Sequence, residues 1–167
     1  MSTIIQVQDS RRTFIDALIE LAERDSNIIL ATCDVGFNYL TNFQERFPDR
    51  FLNLGVTEQS AIMICVGLAT EGMKPYFYSM INFVLFRPAE MVRNGIVCHK
   101  VPVTLIGVKG SSSYKFLGFS HNLLHPKEDI NFCKNIGLDS YIPKNNKEVK
   151  KVIKWVYESN KPAYVRL

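Results

Sequence analysis

Two apolar runs that never alternate, Ile28-Ile29-Leu30-Ala31-Thr32-Cys33 and Val101 to Val108, constrain this chain more than any other feature. A strand with one wet face alternates apolar and polar residues, so a strand without alternation is covered on both faces. Helical patterns lie between such runs. Phe14, Leu18, Leu21 and Ala22 form the apolar stripe of a helix over 9–24, which Asp9 or Ser10 can cap. The predicted order continues with strand 28–33, helix 40–46, strand 51–54, a helix that Glu58 opens and Gly72 closes, strand 75–79, helix 82–98 and strand 101–108. Helix 127–136, strand 139–143, helix 146–158 and strand 162–167 complete it. Strands and helices alternating throughout predict an α/β fold, a single doubly wound domain over 1–167 with a mainly parallel central sheet and helices on both faces.

Composition narrows the functional classes. At 167 residues the chain is long enough to bury a real core. Hydrophobic residues at 47% and charged residues at 22% are the balance of a folded globular chain. The formal charge of +4 is mild, and Lys144, Lys147, Lys150, Lys151 and Lys154 are spaced as the wet face of a helix. No aromatic residues interleave with them, so a nucleic-acid footprint is not expected. Cys33, Cys65, Cys98 and Cys133 have no metal-ligand or redox spacing and read as reduced, buried small hydrophobes. No apolar stretch is long enough to span a bilayer, and the first residues lack a secretory pattern. A cytoplasmic protein without membrane contact is expected.

Ligands of doubly wound sheets collect at the carboxyl ends of the strands. Those ends carry Asp34, the turn from Asn53 to Glu58, the segment Ser79–Phe86 and a Ser- and Gly-rich loop over 109–125. A connection of that length is more often functional than decorative. The turn Asn53-Leu54-Gly55-Val56-Thr57-Glu58-Gln59 is the most informative of them. Small and apolar residues follow from Ser60 through Gly72, so the helix is expected in the core with Glu58 at its entrance. Taken alone, Glu58 is either an acid favoured by the positive end of a helix, worth under about 1 kcal/mol, or a proton handler sheltered from water.

Six motifs in order then carry a resemblance over nearly the whole chain. Phe51-Leu52-Asn53-Leu54-Gly55-Val56-Thr57-Glu58-Gln59 through Gly67-Leu68-Ala69-Thr70-Glu71-Gly72 is the first, and Lys74-Pro75-Tyr76 the second. An aromatic-bearing segment ending in Phe83, then Val101-Pro102-Val103, Gly118-Phe119-Ser120-His121 and Pro162-Ala163-Tyr164-Val165-Arg166-Leu167 complete the set. Together they resemble the pyrimidine-binding domain of the transketolase group of thiamine-diphosphate enzymes. The resemblance implies that Glu58 hydrogen-bonds a ring nitrogen of the cofactor's aminopyrimidine and so helps it activate its own thiazolium carbon. It implies that Phe83 stacks on that ring, with Phe86 and Met80 flanking the pocket and Asp34 near the cofactor at a subunit interface. His121 is implied as a substrate contact that moves protons on the reacting species.

The departures from the family pattern lead to the expectation of an unusual sugar substrate, phosphorylated or nucleotide-linked, rather than the standard pentose-phosphate pair. Leu117 stands where many transketolases have an Asp that reads sugar hydroxyls, and Lys109 replaces a His. Lys109 is a point charge suited to a phosphate or carboxylate, and Ser111, Ser112 and Ser113 offer hydroxyls. Arg166 matches a family arginine that can bind a phosphate tail. The chain contains no Gly-Asp-Gly motif, which in the family holds the diphosphate and its Mg2+ or Ca2+. The resemblance also implies that the further C-terminal domain of complete transketolases would be expected to begin where this sequence stops.

The expectation is one subunit of a split enzyme, paired with a diphosphate-binding chain in a two-plus-two heterotetramer that transfers a two-carbon ketol unit. A decarboxylating relative, of the deoxyxylulose-phosphate synthase or oxo-acid dehydrogenase beta type, and a non-catalytic stabilising subunit remain as alternatives.

Overall fold

The computed structural model describes residues 9–109 and 112–167. Six strands, β1 (Ile28–Thr32), β2 (Phe51–Asn53), β3 (Lys74–Met80), β4 (Thr104–Val108), β5 (Asp139–Tyr141) and β6 (Ala163–Arg166), form one sheet in the order β2-β1-β3-β4-β6-β5. Every neighbouring pair is parallel, with Leu30 opposite Phe51 on one side and Tyr76 on the other. The chain steps from β1 outward to β2, then returns across β1 to lay down β3. That reversal opens a crevice at the carboxyl ends of β1 and β3, the place where such sheets bind ligands.

The expected helices cover both faces. On one face lie α1 (Ser10–Ala22), α2 (Thr41–Arg46) and α6 (Asn146–Ser159), with Phe14, Leu18, Phe43, Ile153 and Val156 packed on Leu30, Tyr76 and Tyr78. On the other lie α3 (Glu58–Thr70), the segment 82–98 and α5 (Glu128–Ile136), with Ala61, Ile62, Cys65, Val84, Leu85 and Cys133 packed on Ala31, Phe77 and Leu105. Each large apolar side chain fully buried here contributes about 1.5–3 kcal/mol. Local signals start and stop these helices. Asp9 Oδ1 accepts the Arg11 N–H to cap α1. Asn145 Oδ1 accepts the Glu148 N–H, and the Glu148 carboxylate accepts the Lys144 N–H in return. Gly72 takes φ +87° just past α3, a conformation that favours glycine. The lysines of α6 are exposed as expected, two of them reaching Glu20 and Glu158 at 3.7 Å.

Five expectations change. The helix after Glu58 is buried on one face only, at Glu58, Ala61, Ile62, Cys65 and Ala69, while Met63 and Ile64 remain exposed on the other. The chain itself therefore covers one side of this helix. β4 begins at Thr104 rather than Val101, because Pro102 has no N–H for a ladder and the Val103 N–H turns back to the Val101 carbonyl.

The 82–98 helix is wound loosely on either side of α4 (Ala89–Met91). Pro88 cannot donate to the preceding turn, and the Arg87 N–H bonds five residues back to Asn82. Cys98, expected inside, is exposed at the end of this segment. The 109–125 stretch also carries a run of tight helical turns over Ser112–Ser120, broken at Gly118 with φ +65°. Among the described residues no helix is long and apolar enough to cross a membrane.

Candidate functional site

The crevice at the end of β1 and β3 is braced by Asn53. Its Oδ1 accepts the Asp34 N–H at 2.9 Å and the Gly55 N–H at 3.2 Å, while the Leu54 N–H bonds the Thr32 carbonyl. One side chain thus ties the exit of β1 to the turn that opens α3. Asp34 takes φ +51°, which a short polar residue tolerates better than a bulky one. Thr57 Oγ1 donates to the Leu54 carbonyl and tightens the same turn, which delivers Glu58 to the first position of α3.

Glu58 is 3% exposed. Its Oε1 accepts from Arg87 Nη1 at 2.7 Å, and the Arg87 guanidinium lies 4.0 Å from the centroid of the Phe83 ring. On the Phe83 ring in turn the His121 imidazole packs edge-on, with centroids 4.9 Å apart at 82°. A continuous line of contacts therefore runs from a buried carboxylate through a cation and an aromatic ring to a loop histidine.

Backbone anchors hold the line in place. Gln59 Nε2 donates to the Arg87 carbonyl, and Asn82 Nδ2 donates to the carbonyls of Phe119 and Asn122 on either side of His121. Ser120 Oγ sits 2.7 Å from His121 Nδ1. Burial pushes the Cys33 thiol up, so this thiol beside the α3 turn stays protonated.

A cleft of about 1090 Å³ opens next to Phe83 and His121. Asp34, Met80, Lys109 and Leu117 line it with them, so five expected site residues share one cavity. Leu117 makes that wall apolar. Across the cleft stand Arg11 and Tyr39, both bonded to Asp9. The Arg11 hydrogen bonds hold the Asp9 carboxyl down to about 2. Glu58 lies beyond Phe83 rather than in this cleft.

Phe86 packs edge-on against Phe132 of α5, at 5.7 Å, as part of the core on that face. Arg166 stands apart: its Nη1 bonds the fully buried Asp129 at 3.0 Å and the Pro126 carbonyl. Ser111, and the side chains of Ser112 and Ser113, lie outside the described residues.

Three site residues escaped the sequence reading. Arg87 follows Phe83 by four positions, the spacing that puts a cation over a ring on a helical face, and that signal was legible. Asn82 gave no such signal. Ser79, on β3, shares the strand face of Phe77 that packs toward α3, and its Oγ is buried without a hydrogen-bond partner among the described residues.

Comparison with known proteins converges on one family. Residues 6–167 match the family described as transketolase, pyrimidine binding domain. The chain is 31% identical over 159 residues to one of the subunits of the apulose-4-phosphate transketolase of Phocaeicola vulgatus, covering 94% of this chain and 50% of that protein. It is 31% identical over 160 residues to 1-deoxy-D-xylulose-5-phosphate synthase of Clostridium perfringens, covering 92% of this chain and 24% of that one. A solved structure of a split gene transketolase, described as an inactive beta4 tetramer, superposes with a TM-score of 0.83 at 26% identity over 95% of this chain and 50% of its own. The chain thus spans half or less of these relatives. With the parallel sheet, the switch-point crevice and the acid that opens α3, these matches place the chain in the transketolase pyrimidine-binding domain family.

Proposed function

We propose that this chain is the pyrimidine-binding half of a split thiamine-diphosphate enzyme that transfers a two-carbon ketol unit between sugar substrates. The observation that carries the reading is Glu58, a carboxylate 3% exposed at the start of a helix, with the Phe83 ring close by at the topological switch point. The Ser79 hydroxyl, without a partner among the described residues and on the strand face toward α3, is what a pocket for a further polar group contains. A flat, nitrogen-bearing ring fits this donor set: Glu58 to hold a proton on a ring nitrogen, Phe83 to stack, Met80 to pack, Asp34 at the rim. When bound, thiamine diphosphate supplies the heterocycle that stabilises a carbanion.

The remaining roles belong to Glu58, which lies beyond Phe83, and to side chains of the cleft. Glu58, shielded from water, keeps its proton exchange confined to the ring it faces. Ser120 Oγ engages His121 Nδ1, which leaves Nε2 as the nitrogen for a substrate oxygen. Lys109 lines the same cleft and is suited to a phosphate or carboxylate. Arg166 is not carried into this reading, because Asp129 holds its guanidinium.

A partner chain is part of the proposal. The sequence has no Gly-Asp-Gly motif, so the diphosphate and its Mg2+ or Ca2+ are assigned to a second, diphosphate-binding subunit, with two copies of each chain. The Phocaeicola relative, itself named as one subunit of a transketolase, and the uncovered Met63 and Ile64 on α3 support a chain that docks on another.

The test is reconstitution. Mixed with its diphosphate-binding partner, the chain should give thiamine-dependent ketol transfer, and Glu58→Gln should abolish most of it. Turnover by this chain alone would refute the split enzyme. Near-normal activity of the Glu58 variant would leave only a stabilising role. The match to a deoxyxylulose-phosphate synthase keeps one second reading open; dependence on pyruvate or another oxo acid would favour it.

A further inference from the structure

Arg87 makes the two contacts that a bound pyrimidine needs. Its guanidinium is planar, donates an N–H to the Glu58 carboxylate at 2.7 Å and lies 4.0 Å over the Phe83 ring. A protonated aminopyrimidine is also planar, also presents an N–H to a carboxylate and also offers a π-face to a phenyl ring. Two flat groups cannot occupy one face of Phe83 at van der Waals distance. From this we infer that Arg87 is a self-ligand, which holds the pyrimidine seat in the free chain and must swing out before the cofactor enters. The inference rests on the proposed function and adds a residue that sets cofactor affinity.

The surroundings suit a side chain that moves while its backbone stays. Gln59 Nε2 holds the Arg87 carbonyl at 3.2 Å, and the Arg87 N–H bonds the Asn82 carbonyl at 2.8 Å. The side chain itself is 40% exposed, so rotation takes the guanidinium into water, whereas Glu58 at 3% has nowhere to go. The occupant also has a role in the empty chain. A buried carboxylate without a cation or donor is costly, and Arg87 supplies both until a ligand does.

Such a device has two effects of opposite sign. Removing the guanidinium weakens the free chain, because Glu58 loses its partner. It strengthens cofactor binding, because no occupant has to leave. When the open seat is present in only a fraction of molecules, the apparent Kd is raised by the inverse of that fraction. A residue that merely braced the fold, or that stayed beside Glu58 to assist it, would move both quantities in the unfavourable direction.

The experiment is a pair of measurements on wild type, Arg87→Ala and Arg87→Lys. Thermal unfolding is followed on the free chain. Thiamine diphosphate with Mg2+ is titrated into the complex with the diphosphate-binding partner by calorimetry, and the association rate is read from tryptophan fluorescence. Arg87→Ala should lower the melting temperature of the free chain, and lower the Kd by about tenfold, corresponding to an open fraction near one in ten. Arg87→Lys should fall between, since it keeps a charge for Glu58 but not a flat group for Phe83. Binding by wild type with equal or weaker binding by Arg87→Ala would overturn the self-ligand and leave the proposed function standing. Failure of every protein to bind the cofactor would overturn both.

Discussion

Arg166 Nη1 lies 3.0 Å from the carboxylate of Asp129, a residue with no solvent exposure. The Tyr164 hydroxyl donates to the same carboxylate at 2.8 Å, and burial first, then Asp129, pushes the Tyr164 phenol up. The three side chains join α5 to β6. Asp129→Ala leaves the Tyr164 hydroxyl without its acceptor and a guanidinium that is 16% exposed with the Pro126 carbonyl but no counter-charge. The expected loss is about 3–5 kcal/mol in urea unfolding. Replacing all three groups by Asp129→Leu, Tyr164→Phe and Arg166→Met should recover most of it, because none of the replacements needs a partner.

Which parts were legible in the sequence follows from what each feature depends on. The strands were legible because unbroken apolar runs report two-sided burial, and the motif around Glu58 because its helix start is local. The single covered face of α3 was not, since Met63 and Ile64 carry the same apolar signal whether the cover comes from this chain or another. Arg166 resembled a ligand-binding cation, but Asp129, 37 positions earlier in the chain, is its partner. The Arg87–Glu58 contact spans 29 positions, and only the packed fold shows it.

Asn82 should act as a positioning residue. Its amide donates to the carbonyls of Phe119 and Asn122 and so fixes the backbone that carries His121 against Phe83. Asn82→Ala removes both donors without touching the ring or the imidazole. In the reconstituted enzyme kcat should fall by roughly 10- to 100-fold, the cost of a displaced reacting group. The Kd for thiamine diphosphate should stay within about twofold, since Glu58 and Phe83 are left in place. A matching loss in both quantities would mean that Asn82 supports the pocket as a whole.

Cys98 should be the thiol that reacts in the native chain. It is exposed, whereas Cys33, Cys65 and Cys133 are buried. Burial pushes the Cys65 and Cys133 thiols up to about 12, far above the range where a thiolate forms at neutral pH. Iodoacetamide at pH 8 should add one label to the free folded chain and four after denaturation in guanidinium, counted by intact mass. A Cys98→Ser variant should take none while folded.

Acid should destabilise the chain through Asp9 in a defined window. The Arg11 hydrogen bonds lower the Asp9 carboxyl from 3.8 to about 2 against the opposing effect of burial. A folded value below the unfolded one means that the folded state binds this proton less readily, so stability contributed at higher pH is lost as pH falls from about 4 towards 2. Asp25 acts in the same direction. Burial works to raise it, but Lys74, the Asn27 N–H and the Tyr157 hydroxyl outweigh burial and hold it below 3.8. Asp9→Asn should therefore flatten the decline in urea midpoint between pH 4 and pH 2 without removing it. Asp9→Asn with Asp25→Asn should flatten it further. The Asn at position 9 still caps α1, so the difference from wild type should shrink as pH falls, and a difference that grows instead would exclude the Arg11 pairing as its source.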